Sequence, residues 1–258
     1  MSADDDQRGP AATPTDLAAA VRDNPVWYHT IELAPGVVTP GRIDLRDAAP
    51  RVLRDRMAGR ALDVGAFDGF WTFEMEKRGA DVVAIDVDTI ESAEWPPVHR
   101  ERLERAVREW GIELGKGFRI ASEALGSNAR RVISNVYDVT PEAIGGPVDF
   151  VFSGAILLHL RNPVHALERL YDCLVPGGEI RILEPFSMRL TLTSPGKPAA
   201  SFQAAYSDFN WWVPNLAGLA AWLSTAGFTN VERIARFRSP AERRMRQFSA
   251  AFSARRPG

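Results

Sequence analysis

The sequence predicts an α/β protein in which a mostly parallel sheet of seven strands carries helices on both faces. Three observations support this fold class. Short apolar runs alternate with helical patterns from residue 60 onward. A strand, a helix and a second strand fit within residues 61–86, the length of a right-handed parallel unit. The chain of 258 residues is long enough for one such domain.

The first part of the chain is predicted to precede this domain. Residues 1–13 are polar and rich in Pro and Ala, which predicts a disordered tail. Residues 14–57 are predicted to form a lid segment. It would contain a helix over 15–22, extended chain with Pro-Gly turns over 26–41, and a helix over 50–57.

The domain itself is predicted to span residues 58–258. Helical patterns at 69–78 and 214–227 flank apolar runs, and a Ser-, Thr- and aromatic-rich insertion follows the fifth strand at about 186–214. The seven predicted strands are residues 61–65, 81–86, 131–136, 148–152, 179–183, 231–236 and 245–252.

Composition narrows the classes of partner. The formal net charge is −2, which gives the chain no strong attraction for a nucleic-acid backbone. No apolar run approaches the roughly 20 residues needed to span a bilayer. The acidic N-terminus does not resemble a signal peptide, and the single Cys173 cannot form an internal disulfide. We therefore expect a cytoplasmic protein without a membrane partner, and composition leaves a homo-oligomer open.

The first predicted strand leads into a glycine-containing turn. Gly65 and Gly69 let the backbone approach a ligand at a helix N-terminus. Asp86, at the end of the next strand, can accept hydrogen bonds from both hydroxyls of a ribose. The pattern predicts an adenosine-containing cofactor. Phe67 and Phe70 occupy positions where a dinucleotide fold would need glycine, which disfavours a nicotinamide oxidoreductase.

Residues 62–70 and 83–86 resemble the first motifs of class I S-adenosylmethionine-dependent methyltransferases, which have a Rossmann-like fold. Asp63, Gly65 and Gly69 match the family's acid and glycines, while Phe67 replaces the middle glycine. The resemblance implies a methyltransferase enzyme with S-adenosylmethionine as its cofactor. The cofactor-binding residues that it implies are Asp63, Gly65, Ala66, Phe67, Asp68, Gly69, Asp86, Val136, Tyr137, Ser153 and Gly154.

The same resemblance implies a role for each part of this set. Asp63 would contact the ammonium of the cofactor and Asp86 its ribose. Val136 ends the third predicted strand, Tyr137 follows it, and both would meet the adenine. The end of the fourth strand, at residues 153–154, would lie under the transferred methyl group.

Three further segments resemble a subgroup related to the tRNA wobble-uridine carboxymethyltransferase. They are residues 27–33, 117–127 and 158–163. The near-neutral charge disfavours a nucleic-acid partner, so we expect methyl transfer to an oxygen or nitrogen of a small-molecule acceptor. The alternatives are transfer of a methyl or carboxymethyl group to the tRNA wobble uridine, and a non-catalytic cofactor-binding protein.

Residues for catalysis and acceptor binding are predicted from residue type and position. His159 follows the fourth strand, and His29 lies in the lid segment, so either imidazole is a candidate general base. No His and carboxylate group has the spacing of metal ligands, and no metal is expected. The candidate acceptor-binding residues are polar or aromatic: Tyr28, Tyr206, Asn210, Trp211 and Trp212.

Overall fold

The computed structural model describes residues 14–238 and 248–258. The predicted tail at 1–13 and the start of the last predicted strand lie outside the described residues. The helices are α1 (Pro14–Asp23), α2 (Ala49–Val52), α3 (Phe70–Glu76), α4 (Pro97–Glu109), α5 (Lys116–Leu125), a 3₁₀ helix (Leu157–His159), α6 (Pro163–Cys173), α7 (Met188–Thr193) and α8 (Leu216–Thr225). The strands are β1 (Glu32–Ala34), β2 (Val37–Val38), β3 (Arg60–Val64), β4 (Asp81–Asp86), β5 (Arg130–Ile133), β6 (Val148–Gly154), β7 (Leu174–Phe186), β8 (Ala200–Phe202), β9 (Trp212–Pro214), β10 (Thr229–Arg238) and β11 (Phe248–Arg255).

Seven strands form the central sheet in the order β10-β11-β7-β6-β3-β4-β5. The five strands from β7 to β5 run parallel, while β11 is antiparallel to both β7 and β10. The predicted mostly parallel seven-stranded sheet is confirmed. Parallel strands bring their carboxyl ends to one edge of a sheet, where ligands bind in open α/β folds. We call this edge the carboxyl edge. It carries the segments that follow β3 to β7, namely residues 65–69, 87–96, 134–139, 155–162 and 187–214.

Alternating side chains of the strands cover both faces of the sheet. On one face, Ile180 and Ile182 of β7 are buried in a cluster with Leu167 and Leu170 of α6 and with Leu223 of α8. On the other face, alternate residues of the same strands pack against α3, α5 and residues 14–57, which we call the N-terminal segment. The alternation follows the two-residue period of a strand, so each strand contributes to both cores.

Two predicted elements end earlier than expected. β5 stops at Ile133 because the Asn135 side chain accepts the Tyr137 N–H and turns the chain away from the sheet. α2 stops at Val52, and Leu53 is extended. The predicted helix over 50–57 therefore does not reach Met57. The N–H of Met57 donates to the carbonyl of Arg78, after α3, instead of to a carbonyl within the helix.

The N-terminal segment is bound to the domain through the carboxylate of Asp68. One oxygen, Oδ2, accepts the N–H groups of Tyr28 and His29 at 2.8 Å each. The other, Oδ1, lies 2.5 Å from Nδ1 of His29. Asp68 and His29 are both buried, and Trp27 is buried beside them. A buried carboxylate with three hydrogen bonds is a strong local anchor, because water cannot replace its partners.

Replacing Asp68 with Ala should destabilise the fold and release the N-terminal segment. The change leaves buried N–H groups without acceptors, so we expect a loss of roughly 2–4 kcal/mol in the free energy of unfolding. Urea denaturation measures this loss, and limited proteolysis within residues 24–45 reports the release. Asp55→Ala is the control, because Asp55 is exposed. Equal stability of the two variants would contradict the anchoring role of Asp68.

Candidate functional site

The turn between β3 and α3 requires glycine at two positions. Gly65 and Gly69 have φ angles of 71° and 89°. A Cβ atom at Gly65 would lie 2.4 Å from Cδ1 of Ile156, and one at Gly69 would lie 2.5 Å from the Phe73 ring. Phe67, at the family's middle-glycine position, adopts a φ of 51°. The bulky residue therefore takes a left-handed conformation, at a cost of about 1 kcal/mol.

Asp86 ends β4 directly beside this turn. Its Oδ2 accepts the Phe67 N–H at 2.6 Å and its Oδ1 accepts the Val87 N–H at 2.7 Å. Burial raises the pKa of Asp86, while these two hydrogen bonds act in the opposite direction. Each carboxylate oxygen still has a free lone pair. The position and chemistry of Asp86 thus fit the ribose hydroxyls of an adenosine cofactor.

Asp63, in β3, and Asp68, within the turn, are both engaged within the protein. Asp63 is buried and accepts the Thr72 hydroxyl at 2.6 Å, and burial raises its pKa to about 7. The oxygens of Asp68 are occupied by Tyr28 and His29, as described above. Within the turn, Ala66 and Asp68 are buried, whereas Gly65 and Phe67 stay partly exposed. Direct cofactor contacts of either carboxylate stay a prediction.

The predicted adenine residues follow β5. Val136 is buried, and the Tyr137 ring stacks on the His165 ring at 5.7 Å. The Tyr137 hydroxyl donates to Glu94 Oε2 at 3.1 Å and accepts the Asn162 N–H at 2.9 Å. Burial raises the pKa of Tyr137 to about 12, so its hydroxyl stays protonated at neutral pH. The Tyr137 ring is therefore held both by its stacking on His165 and by the two hydrogen bonds of its hydroxyl.

Glu94 connects four segments of the carboxyl edge. It lies after β4, and besides Tyr137 its carboxylate accepts the Arg161 N–H at 2.8 Å. Its backbone carbonyl accepts the indole N–H of Trp211 at 2.6 Å. One residue thus joins the segments that follow β4, β5, β6 and β7. The sequence analysis missed Glu94, because a glutamate in a charged segment carries no signal of such a role.

The predicted acceptor-binding residues of the insertion separate into two groups. Trp211 is only 8% exposed, and its backbone N–H donates to the Leu158 carbonyl at 2.7 Å. Trp212 donates its indole N–H to the Arg161 carbonyl. Tyr206 is 68% exposed, and its hydroxyl donates to the Phe202 carbonyl within the insertion. The Asn210 backbone N–H donates to Ser207 Oγ. The structure therefore joins the two tryptophans to the segment that follows β6, whereas Tyr206 faces solvent.

The two candidate bases have different surroundings. His159 lies in the 3₁₀ helix after β6, with Nδ1 3.0 Å from the Phe209 carbonyl. A carbonyl only accepts hydrogen bonds, so Nδ1 carries the proton and Nε2 has a free lone pair. Burial lowers the pKa of His159, which keeps its imidazole neutral at pH 7. His29 is held by Asp68, and its buried Nε2 has no hydrogen-bond partner among the described residues.

Ser153 and Gly154, which are predicted to lie under the transferred methyl group, end β6. Ser153 is buried, and its hydroxyl finds no partner within residues 14–238 and 248–258. Gly154 follows it at the carboxyl edge. In the described part of the chain, no group of His, Cys, Asp or Glu side chains is arranged to hold a metal ion. None of the described helices has the length and apolar character needed to cross a membrane.

Comparison with known proteins gives the family. A family model of a methyltransferase domain matches residues 42–233. The chain is 31% identical over 182 residues to the tRNA U34 carboxymethyltransferase of Azotobacter vinelandii, covering 69% of this chain and 47% of that relative. It is 28% identical over 180 residues to the Pseudomonas fluorescens enzyme of the same name, covering 69% and 48%. The chain thus spans about half the length of these curated relatives.

Solved structures share the fold at lower identity. The N-terminal domain of EvdMO1 with S-adenosylhomocysteine bound has a TM-score of 0.61 at 18% identity, covering 96% of this chain and all of that domain. The same domain in the presence of S-adenosylhomocysteine and D-fucose has a TM-score of 0.59. The Burkholderia thailandensis 1,6-didemethyltoxoflavin-N1-methyltransferase gives 0.50 at 18% identity, covering 100% and 99%.

The family model covers most of the sheet and of the carboxyl edge, including the turn after β3 and Asp86. The sheet order and the glycine turn agree with it. The chain therefore belongs to the methyltransferase-domain family, as a class I S-adenosylmethionine-dependent methyltransferase.

Proposed function

We propose that the chain methylates an oxygen of a small-molecule acceptor, with nitrogen as the next candidate atom. The observation that carries this proposal is the tautomer of His159. The Phe209 carbonyl holds the proton on Nδ1, which leaves the Nε2 lone pair available at the carboxyl edge. A neutral imidazole at this position suits the removal of a hydroxyl proton during methyl transfer.

The cofactor, when bound, supplies an electrophilic methyl group on its sulfonium. Asp86 would hold the ribose hydroxyls, and the turn at residues 65–69 would lie along the methionine part. Val136 and Tyr137 would contact the adenine, while Ser153 and Gly154 would lie nearest the methyl group. In this proposal these residues orient and enclose the reactants, which is the main contribution of a protein to an in-line displacement.

His29 is the weaker of the two candidate bases. Its Nδ1 is bound to Asp68, and its Nε2 is buried, with the imidazole stacked on the ring of Phe70 at 5.3 Å. An acceptor molecule would have to reach this buried nitrogen. We therefore assign His29 to the anchoring of the N-terminal segment and His159 to proton removal.

The acceptor pocket is proposed to have aromatic walls. Trp95 and Phe209 meet edge to face at 5.8 Å, which joins the segment after β4 to the insertion. Trp211 and Trp212 lie in the same insertion, and Tyr28 adds a ring from the N-terminal segment. Such walls suit a flat or sugar-like acceptor. The crystallisation of the EvdMO1 domain in the presence of D-fucose supports an acceptor of sugar size for a domain of this extent.

The tRNA wobble uridine is the second candidate acceptor. The curated relatives at 28–31% identity are named for carboxymethyl transfer to U34 of tRNA. The net charge of −2 gives little affinity for the phosphate backbone, on which such binding depends. Retention of tRNA by the protein on filters at about 150 mM salt would favour this candidate, and its absence favours the small molecule.

Asp86→Ala should weaken cofactor binding; because it also removes the acceptor of the Phe67 and Val87 N–H groups, the Tm of the variant is measured alongside. Losing the hydrogen bonds of a half-buried carboxylate to two hydroxyls should raise the Kd for S-adenosylhomocysteine by roughly 30-fold or more. Isothermal titration calorimetry measures the change. Asp81→Ala is the matched control, because Asp81 lies at the exposed opposite end of the same strand. Unchanged affinity in Asp86→Ala would remove the ribose role.

His159→Asn should slow methyl transfer without changing cofactor affinity. The Asn side chain can still donate to the Phe209 carbonyl, but it has no nitrogen that can take a proton at the Nε2 position. We expect kcat to fall by about 100-fold on an acceptor identified with methyl-labelled cofactor. In the wild type, kcat should rise with pH through a pKa below 6.5, because burial lowers the pKa of His159. A variant with wild-type kcat would exclude His159 as the base.

A further inference from the structure

Two buried glutamates on β7 have opposite surroundings. Glu179, in the middle of the strand, is 5% exposed and forms salt bridges with Arg54, Arg181 and Arg255. Glu184, near the end of the strand, is 1% exposed. Within residues 14–238 and 248–258, no basic side chain forms a salt bridge with Glu184. Burying a carboxyl group without a neighbouring cation costs stability, so such a group is a candidate for a functional role.

The hydrogen bonds of Glu184 point to one neighbouring segment. Its Oε1 accepts the N–H groups of Ile156 and Leu157, each at 2.8 Å. Its Oε2 is buried and has no partner among the described residues. Burial raises the pKa of Glu184 to about 8, so the group is mainly a neutral carboxylic acid at pH 7. The side chain thus caps the turn after β6 without adding a full buried charge.

That turn contacts both parts of the candidate site. The Ile156 side chain packs on Gly65, in the turn between β3 and α3, and leaves no room for a Cβ atom there. Leu157 begins the 3₁₀ helix that ends at His159. A shift of the turn would therefore displace a wall of the cofactor site and the proposed base together.

We propose that Glu184 is a positioning residue. Through the backbone N–H groups of Ile156 and Leu157, it holds the turn at residues 155–159 against the turn at residues 65–69. The role in cofactor binding rests on family membership, and the role in placing His159 rests on the proposed function. The length of the side chain, rather than its charge, is what the position requires. Glu has the reach to accept both N–H groups, and the neutral acid avoids the cost of a buried unpaired charge.

The proton on Glu184 links this position to pH. Its pKa is higher in the folded chain than in the unfolded chain, so unfolding releases a proton that the folded chain retains. The stabilisation is complete below the ordinary glutamate pKa of 4.5 and is lost as the pH rises through about 8. Tyr28 is the titratable group whose interaction with Glu184 is resolved: burial, and then the charge of Glu184, raise the pKa of Tyr28. Glu184→Gln removes this proton equilibrium.

Two substitutions separate reach from charge. Glu184→Gln keeps the reach and the acceptor oxygen but cannot ionise, whereas Glu184→Asp can ionise but is one methylene shorter. Positioning by reach predicts that the Gln variant binds S-adenosylhomocysteine with a Kd within about threefold of the wild type. It predicts that the Asp variant binds about tenfold more weakly, because the wall beside Gly65 shifts. The reverse order would overturn the proposal.

Hydrogen exchange tests the same point without any ligand. The Ile156 and Leu157 amides should be protected in the wild type and in Glu184→Gln, and should exchange faster in Glu184→Asp. Equal protection in all three proteins would also overturn the proposal. If the wild type failed to bind S-adenosylhomocysteine, the proposed cofactor contacts would fail, while the exchange experiment would still decide the role of Glu184.

Glu179→Gln is the matched control on the same strand. It disrupts a salt-bridged cluster far from the carboxyl edge, so it should lower Tm without changing the Kd for S-adenosylhomocysteine. The wild type and this control should both lose Tm between about pH 5 and about pH 8, and Glu184→Gln should lose less. An equal loss of Tm in Glu184→Gln would contradict a contribution of the Glu184 proton to the pH dependence of stability.

Discussion

The carboxylate of Asp68 is the constraint on which the site depends. It belongs to the turn after β3, and its oxygens bind Tyr28 and His29 of the N-terminal segment. One side chain therefore joins the turn to the segment. The segment also places the Tyr28 and His29 rings beside Phe67 and Phe70, so it packs directly on the turn and on the start of α3.

A second set of contacts at the carboxyl edge joins segments that are distant in sequence. Glu94 joins the segments after four of the parallel strands, and two of its partners are Tyr137 and Trp211. These partners are predicted to contact the cofactor and the acceptor respectively. A single residue that contacts both gives these two segments a common framework, and hydrogen bonds in such a network support one another when none is left unpaired.

Local sequence patterns predicted the strands well, because burial on a parallel sheet leaves a local record. β4 was predicted with its observed bounds, Asp81–Asp86. The end of β5 was placed too late, because the Asn135 side chain turns the chain within an otherwise apolar run. The partners of Asp68 and Glu94 are distant in sequence and leave no local pattern. Glu184 did leave one, since it is the only charged residue between Arg181 and Ser187, next to a buried strand end.

The two buried glutamates of β7 show how stability and function are divided in this sheet. In the middle of the strand, Glu179 is neutralised by three arginines, and the arrangement is complete without a ligand. At the carboxyl edge, Asp63 and Glu184 are buried with raised pKa values and have no arginine or lysine salt bridge in the described chain. Burying a carboxyl group in this way costs stability and is retained where geometry matters more. At this edge, the carboxyl groups of Asp63 and Glu184 are therefore held by hydrogen-bond geometry rather than by charge compensation.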